Sequence, residues 1–312
     1  MTVIRSIALG SALVLATASL AAAQAQDNLN FPASELRAPA RLAASPRHSE
    51  WVAIAWEPGS KDSLMAWVVY PITSNAKTPV VVVVHEIYGL TTWIRGVADQ
   101  VAADGFIAIA PDLNSRVRGG PSPQELPRDS ASKLIRGVNT TERNKGIVAT
   151  ATYGMSLASA APSYAVIGYC WGGQTVFAHA VHGGTRGYAG GVAFYGNWPY
   201  MTGQPPMIDA DSMKKITKPV MLLNGSRDAR IAANMPALDS MMRAMKKDYS
   251  GMNYQNASHG FLRQQDDPHF VRDSTAADGR RRDTETEAGD VAATKDGWPR
   301  TLAFLRKNLG VK

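Results

Sequence analysis

The sequence predicts an α/β protein, with a mostly parallel central sheet and helices on both faces. Three observations carry this. Short apolar runs alternate with helix-compatible stretches from about residue 79 to residue 255, the pattern of successive strand–helix–strand units. Pro79-Val-Val-Val-Val-Val84 is apolar without alternation, as a central strand covered on both faces must be. A second apolar run, Tyr164 to Ile167, leads at once into Gly168-Tyr-Cys-Trp-Gly-Gly173 and the helix-compatible Gln174-Thr-Val-Phe-Ala-His179, so strand gives way to helix with almost no connection.

Taken in order, residues 1–25 read as a signal peptide. Arg5 makes a charged start, Ile7 to Leu20 an apolar core, and Ala21-Ala-Ala-Gln-Ala25 offers small-residue cleavage sites. The expectation is an exported chain, periplasmic or secreted, with no membrane anchor after cleavage. Residues 26–48 are polar and punctuated by proline, and read as an N-terminal arm. From 49 to 312 one domain is expected. Trp51–Trp56 and Met65–Tyr70 alternate as two antiparallel strands around the Pro58-Gly-Ser turn. The valine strand follows, then a helix from Thr91 to Ala103 and a strand at Phe106–Ala110. Residues 114–138 are a Gly- and Pro-rich excursion with several arginines. A helix of about 18 residues then leads past Pro162 into the Tyr164 strand. Strands at Gly190–Tyr195 and Pro219–Leu223, a methionine-bearing helix (Met235, Met241, Met242, Met245) and a short strand at Met252–Gln255 complete the sheet. Residues 264–296 are polar and charged without an apolar face, and read as an insertion, with a closing helix at Asp296–Leu309.

Thirty-three basic against 26 acidic residues give a formal charge of +7, which becomes +6 when Arg5 leaves with the signal. The basic residues are scattered and the longest tract is Arg280-Arg-Arg282, so no nucleic-acid stripe is present. The expected partner is a small molecule, and the expected state a monomer.

Gly168-x-Cys170-x-Gly172 has the spacing of a nucleophile elbow, with cysteine in the usual serine place. The turn is so tight that side chains two residues either side of the nucleophile would collide, and the helix N-terminus behind it favours negative charge on sulfur. Cys170 is the only cysteine in the chain. The bland reading, a small buried hydrophobe at a helix start, does not account for the flanking glycines. A thiol nucleophile needs a base and a group to orient it, and in α/β-hydrolases these follow in the order nucleophile, acid, histidine, each beyond a strand end. Asp228 follows the strand that runs to Gly225, and His259 follows the last short strand. The oxyanion hole is expected from the backbone N–H of Trp171 and, in the loop after the valine strand, of Ile87. Rival readings are weaker. Ser156, in Gly154-x-Ser-x-Ala158, has no strand before it and falls within a helix. His179 and His182 share a helix face but lack a third metal ligand, and the methionines read as core.

Val84-His-Glu-Ile-Tyr-Gly-Leu90, Ile167-Gly-Tyr-Cys-Trp-Gly-Gly173, the Asp228 segment and Ser258-His-Gly-Phe-Leu-Arg263 together resemble the dienelactone hydrolase family. The resemblance implies the α/β-hydrolase fold and a Cys170–His259–Asp228 triad. It implies that Glu86 holds the resting thiol neutral until substrate arrives, that Arg263 binds a substrate carboxylate, and that Tyr88 and Tyr195 line the pocket. A second carboxylate-binding arginine is left open among Arg116, Arg118, Arg128 and Arg136. The combined expectation is a cysteine-dependent hydrolase of lactones or carboxylic esters that works through a thioester, with no cofactor and no metal. The alternatives are a hydrolase of neutral esters or thioesters on the same triad, and a non-catalytic binding protein that keeps the fold.

Overall fold

The computed structural model describes residues 28–72, 77–120, 125–204, 206–265 and 283–311. The expected signal peptide, and residues 266–282 of the expected insertion, lie outside them. The arm carries a short helix, α1 (Ala38–Ala43), and a hairpin follows, β1 (Ser49–Ala55) and β2 (Ser63–Val69). Their antiparallel register sets Trp51 opposite Trp67, with ring centres 5.2 Å apart. β3 (Thr78–Val84) is buried along its whole length, and its register shifts beside Pro79, which has no N–H to give the ladder. α2 (Thr92–Ala103) begins at an N-cap, where the Thr91 hydroxyl accepts the Ile94 N–H. β4 (Ile107–Pro111) follows.

The 114–138 excursion is not loop throughout: it contains α3 (Arg128–Ile135), entered from Pro127. α4 (Thr140–Ser156) is capped by Asn139, whose side chain accepts the Glu142 N–H. Ser156 closes that helix and donates to the Tyr153 carbonyl, so it is no elbow. β5 (Ala160–Tyr169) starts earlier than expected and takes in Pro162. α5 (Trp171–His182) and β6 (Tyr188–Phe194) come next, then a small two-stranded sheet, β7 (Met201–Thr202) and β8 (Met207–Ile208). α6 (Ala210–Lys214), β9 (Val220–Gly225), α7 (Ala229–Ala232), α8 (Met235–Ala244), β10 (Tyr249–Tyr254) and α9 (Phe261–Gln264) lead to the closing helix, α10 (Thr284–Leu309).

α10 has 26 residues and starts twelve positions before the expected Asp296, at an N-cap where Asp283 accepts the Thr286 N–H. Its first half buries Thr286, Gly289, Asp290, Ala293 and Thr294, so residues 284–296 are a packed helix and not part of an insertion. Their face was missed because it is made of small and polar side chains.

The eight-stranded sheet has the order β1-β2-β4-β3-β5-β6-β9-β10, and only β2 runs against the rest. From β3 the chain moves outward to β4 and then returns to the other side of β3 as β5. The order therefore reverses between β3 and β5, and ligands of such sheets bind beyond the strand ends at that point. Residues 80–84 are wholly inaccessible and form the middle of the core. Met235 and Met242 pack into it as expected. His179 is buried, with Nε2 against the Tyr164 hydroxyl at 2.8 Å and Nδ1 against Asn144 Oδ1 at 2.7 Å, which makes it a satisfied core histidine.

Candidate active site

The end of β5 turns into α5 through Cys170, which holds φ 55° and ψ −113°. A non-glycine residue is forced into such a conformation only where its surroundings over-determine it. Here they do. A Cβ on Gly172 would lie 2.6 Å from the His85 carbonyl oxygen, and one on Gly168 would run into the Gly172 carbonyl. The two glycines let helix and strand approach, and the thiol is left at the N-terminus of a 12-residue helix.

His259 lies beyond β10 and Asp228 beyond β9, at the same edge of the sheet. His259 Nδ1 is 2.6 Å from Asp228 Oδ2. Burial works against a charge on His259, yet the Cys170 sulfur and Asp228 together raise its pKa to about 10. Burial also acts to raise the Asp228 pKa, and the hydrogen bond and charge of His259 outweigh it, so the carboxyl lies below its ordinary value. Tyr195, with φ 39°, is fully buried and sets its ring 5.0 Å from that of His259.

Of the two expected oxyanion donors, Trp171 is the first residue of α5, so its N–H has no carbonyl a turn earlier in the helix. Its ring stacks on buried His85 at 5.6 Å. Ile87 sits in the turn after β3 that the Gly89 N–H closes on the Glu86 carbonyl at 3.2 Å. The close approach of Gly172 to Val84 and His85 brings these two backbone segments together.

Glu86 and Arg263 are both buried, and Arg263 Nε lies 3.0 Å from Glu86 Oε2. Glu86 is thus engaged by a guanidinium. Arg263 also meets a residue that the sequence reading never singled out: its Nη1 donates to Glu35 Oε2 at 2.6 Å. Glu35 belongs to the N-terminal arm, and its other oxygen takes Arg128. Against its burial, Arg263 and Arg128 hold the Glu35 carboxyl below the usual range. The Arg128 guanidinium stands 4.6 Å above the Tyr88 ring, and that of Arg263 is 5.8 Å from it. Tyr88, Glu35, Glu86 and the two arginines thus form one charged cluster.

Among the four arginines left open, Arg128 meets Tyr88 and Glu35, and Arg118 lines a pocket with Tyr88. Arg116 lies over Trp56 and pairs with Asp62 and Glu142, Arg118 pairs with Asp112, and Arg136 is exposed at the end of α3.

A second missed residue is Asp290 of α10, wholly buried. Its Oδ1 accepts the Ser258 N–H at 2.6 Å and its Oδ2 the Ser258 hydroxyl at 2.9 Å, so it grips the residue next to His259. Gly289 permits this, since a Cβ there would lie 2.7 Å from the Ala257 nitrogen. The available signal was a helical spacing of small and polar residues (286, 289, 290, 293, 294, 297), which a search for apolar faces passes over.

The sequence model of the dienelactone hydrolase family matches residues 65–309. A Salmonella typhimurium protein provisionally named carboxymethylenebutenolidase is 27% identical over 257 residues, covering 82% of this chain and 87% of the relative. A Bradyrhizobium protein provisionally named 2-oxo-3-(5-oxofuran-2-ylidene)propanoate lactonase is 26% identical over 270 residues, covering 84% of this chain and 97% of that one. The crystal structure of a provisionally described dienelactone hydrolase from Klebsiella pneumoniae matches with a TM-score of 0.65 at 23% identity, over 84% of this chain and 99% of that one. At that identity it speaks for the fold, which is the α/β-hydrolase fold. With the family match running from within β2 to the last residue of α10, the chain belongs to the dienelactone hydrolase family.

Proposed function

We propose that this dienelactone hydrolase-like enzyme is an exported hydrolase of lactones or carboxylic esters that uses Cys170 as its nucleophile. The observation that carries the reading is Cys170 itself, held at φ 55° at a helix start and facing a histidine that Asp228 grips at 2.6 Å. His259 is placed to take the Cys170 proton when substrate arrives, which gives the thiolate–imidazolium pair that attacks. Export rests on the character of residues 1–25.

In the first half-reaction the thiolate attacks the carbonyl carbon, and the oxygen that gains the charge is met by the N–H groups of Trp171 and Ile87. The imidazolium gives its proton to the departing alkoxide, the C–O bond breaks and a thioester remains. In a lactone the new hydroxyl stays tethered to the acyl group. His259, now neutral, takes a proton from water. The hydroxide adds to the thioester, and release of the acid restores the ion pair. Asp228 holds the imidazole in the tautomer that both steps need. Glu86 adjusts the charge around the thiol through its pairing with Arg263. Arg263 and Arg128 are the two guanidiniums that flank Tyr88 beside the triad.

The test uses the purified mature protein, a panel of lactones and aryl esters, and titration with iodoacetamide. One equivalent of reagent should abolish turnover, substrate analogues should protect, and Cys170→Ala should lose hydrolysis. An alanine variant with near wild-type turnover removes the nucleophile assignment. A protein that hydrolyses nothing on the panel favours the binding-protein alternative.

A further inference from the structure

We infer that Glu35 is a specificity-determining residue: a carboxylate carried by the enzyme itself fills the anion-binding position between Arg263 and Arg128, and the enzyme therefore takes acyl groups that carry no carboxylate. The inference rests on the reading of Cys170 as nucleophile and narrows its substrate class.

Glu35 lies upstream of the segment that matches the family, residues 65–309, so nothing in that match accounts for it. The arm that bears it is docked. The Trp93 indole donates to the Ala33 carbonyl at 3.0 Å, the Gln265 amide to the Pro32 carbonyl at 2.6 Å, and Ala33, Ser34 and Ala38 are buried. The Glu35 N–H donates to the Arg263 carbonyl at 2.9 Å. Backbone and side chain of Glu35 thus both engage the same residue, which fixes the carboxylate in place.

The carboxylate bridges two guanidiniums, one oxygen on each, as an incoming substrate carboxylate would. Both guanidiniums flank Tyr88, Arg263 pairs with Glu86 just beyond β3 and follows His259 by four residues, so the bridge stands at the sheet edge that bears the triad. With Glu86 on Arg263 as well, two carboxylates balance two guanidiniums. An arriving anion would find no net positive charge, and it would have to displace a segment held by its backbone. A neutral acyl group meets neither obstacle.

The experiment measures kcat/KM for a matched pair, 4-nitrophenyl butanoate and the mono-4-nitrophenyl ester of glutaric acid, on wild type, Glu35→Gln and Glu35→Ala, with Cys170→Ala as control. Wild type should prefer the neutral ester. Glu35→Gln should raise the charged-to-neutral ratio by roughly tenfold or more, the scale of one charge removed at contact range in a partly wet site. In Glu35→Ala, acetate should compete with the charged ester, which it does not do in wild type. A wild type that prefers the charged ester overturns the inference even if neither variant is stable enough to assay. So does a Glu35→Gln ratio that stays where it was. Neutral-ester turnover that survives in Cys170→Ala refutes the nucleophile instead, so the two failures are told apart.

Discussion

Asp290→Asn offers the most demanding test of how the histidine is held. Asp290 is wholly buried and accepts two hydrogen bonds from Ser258, at 2.6 Å from the backbone N–H and 2.9 Å from the hydroxyl. An asparagine keeps the shape, but it has one acceptor oxygen and presents an NH2 on the other side. The amide oxygen can still accept the Ser258 N–H, and the Ser258 hydroxyl can turn to accept from the NH2 while donating to Gln264 Oε1, so both charge-assisted bonds become neutral ones, at a combined cost of about 1–3 kcal/mol. A loss at the upper end, about 3 kcal/mol, should lower Tm by about 4–5 °C, since the unfolding entropy is about 2.1 cal/mol/K per residue. The larger effect is expected in catalysis, because Ser258 precedes His259 and a displacement of about 1 Å at a reacting group can cost roughly 100-fold. The assay compares kcat/KM against pH, and the rate of Cys170 alkylation, at a temperature where both proteins are folded. A slowed alkylation and an altered pH profile show that Asp290 positions His259. A variant with lowered Tm but unchanged kcat/KM and alkylation would refute this, leaving Asp290 as a packing contact only.

Two further outcomes follow from the charges at the sheet edge. The folded state raises the His259 pKa from 6.5 to about 10, so the folded protein holds that proton more tightly than the unfolded chain. The stabilisation is complete below about pH 6.5 and is lost as the pH rises toward 10. Urea midpoints should fall across that window in wild type and fall less in Asp228→Asn, which lacks the carboxylate; parallel curves would argue against the pair. Arg263→Met leaves Glu86, with a side chain 5% exposed, facing no guanidinium from that position. It should cost about 3–5 kcal/mol in urea unfolding, as breaking a buried pair does. A loss below about 1 kcal/mol would show that Arg263 is a spectator.

The parts of the site that could be read from the sequence are those with a local signature. The Gly168-x-Cys170-x-Gly172 spacing announces a steric requirement that its own neighbours impose, Asp228 follows a recognisable apolar run, and His259 is placed by chain order after a short strand with only Met252 and Tyr254 to mark it. Glu35 and Asp290 have no such mark. Glu35 meets Arg263 across 228 positions and Asp290 meets Ser258 across 32, and both come from stretches whose polarity suggests solvent. That polarity is the complement of buried charge elsewhere, which only the fold makes visible. The start of α10 escaped for a related reason, since Gly289, Ala293 and Thr294 bury area without registering as hydrophobic. Pro299 within that helix also argues, taken locally, for a break.

The two ends of the described chain meet on residues 257–265: the arm pairs with Arg263 from one side, and α10 grips Ser258 from the other. This sets an order in time. During synthesis the sheet through β10 can form around an elbow already bearing Cys170, while the segment that carries its histidine still lacks its clamp. The thiol stays without its fixed partner until the last helix has been released and has docked. Activity should therefore appear only once α10 has docked, and a chain cut before α10 should turn over no substrate and be alkylated at the slower rate of an ordinary thiol.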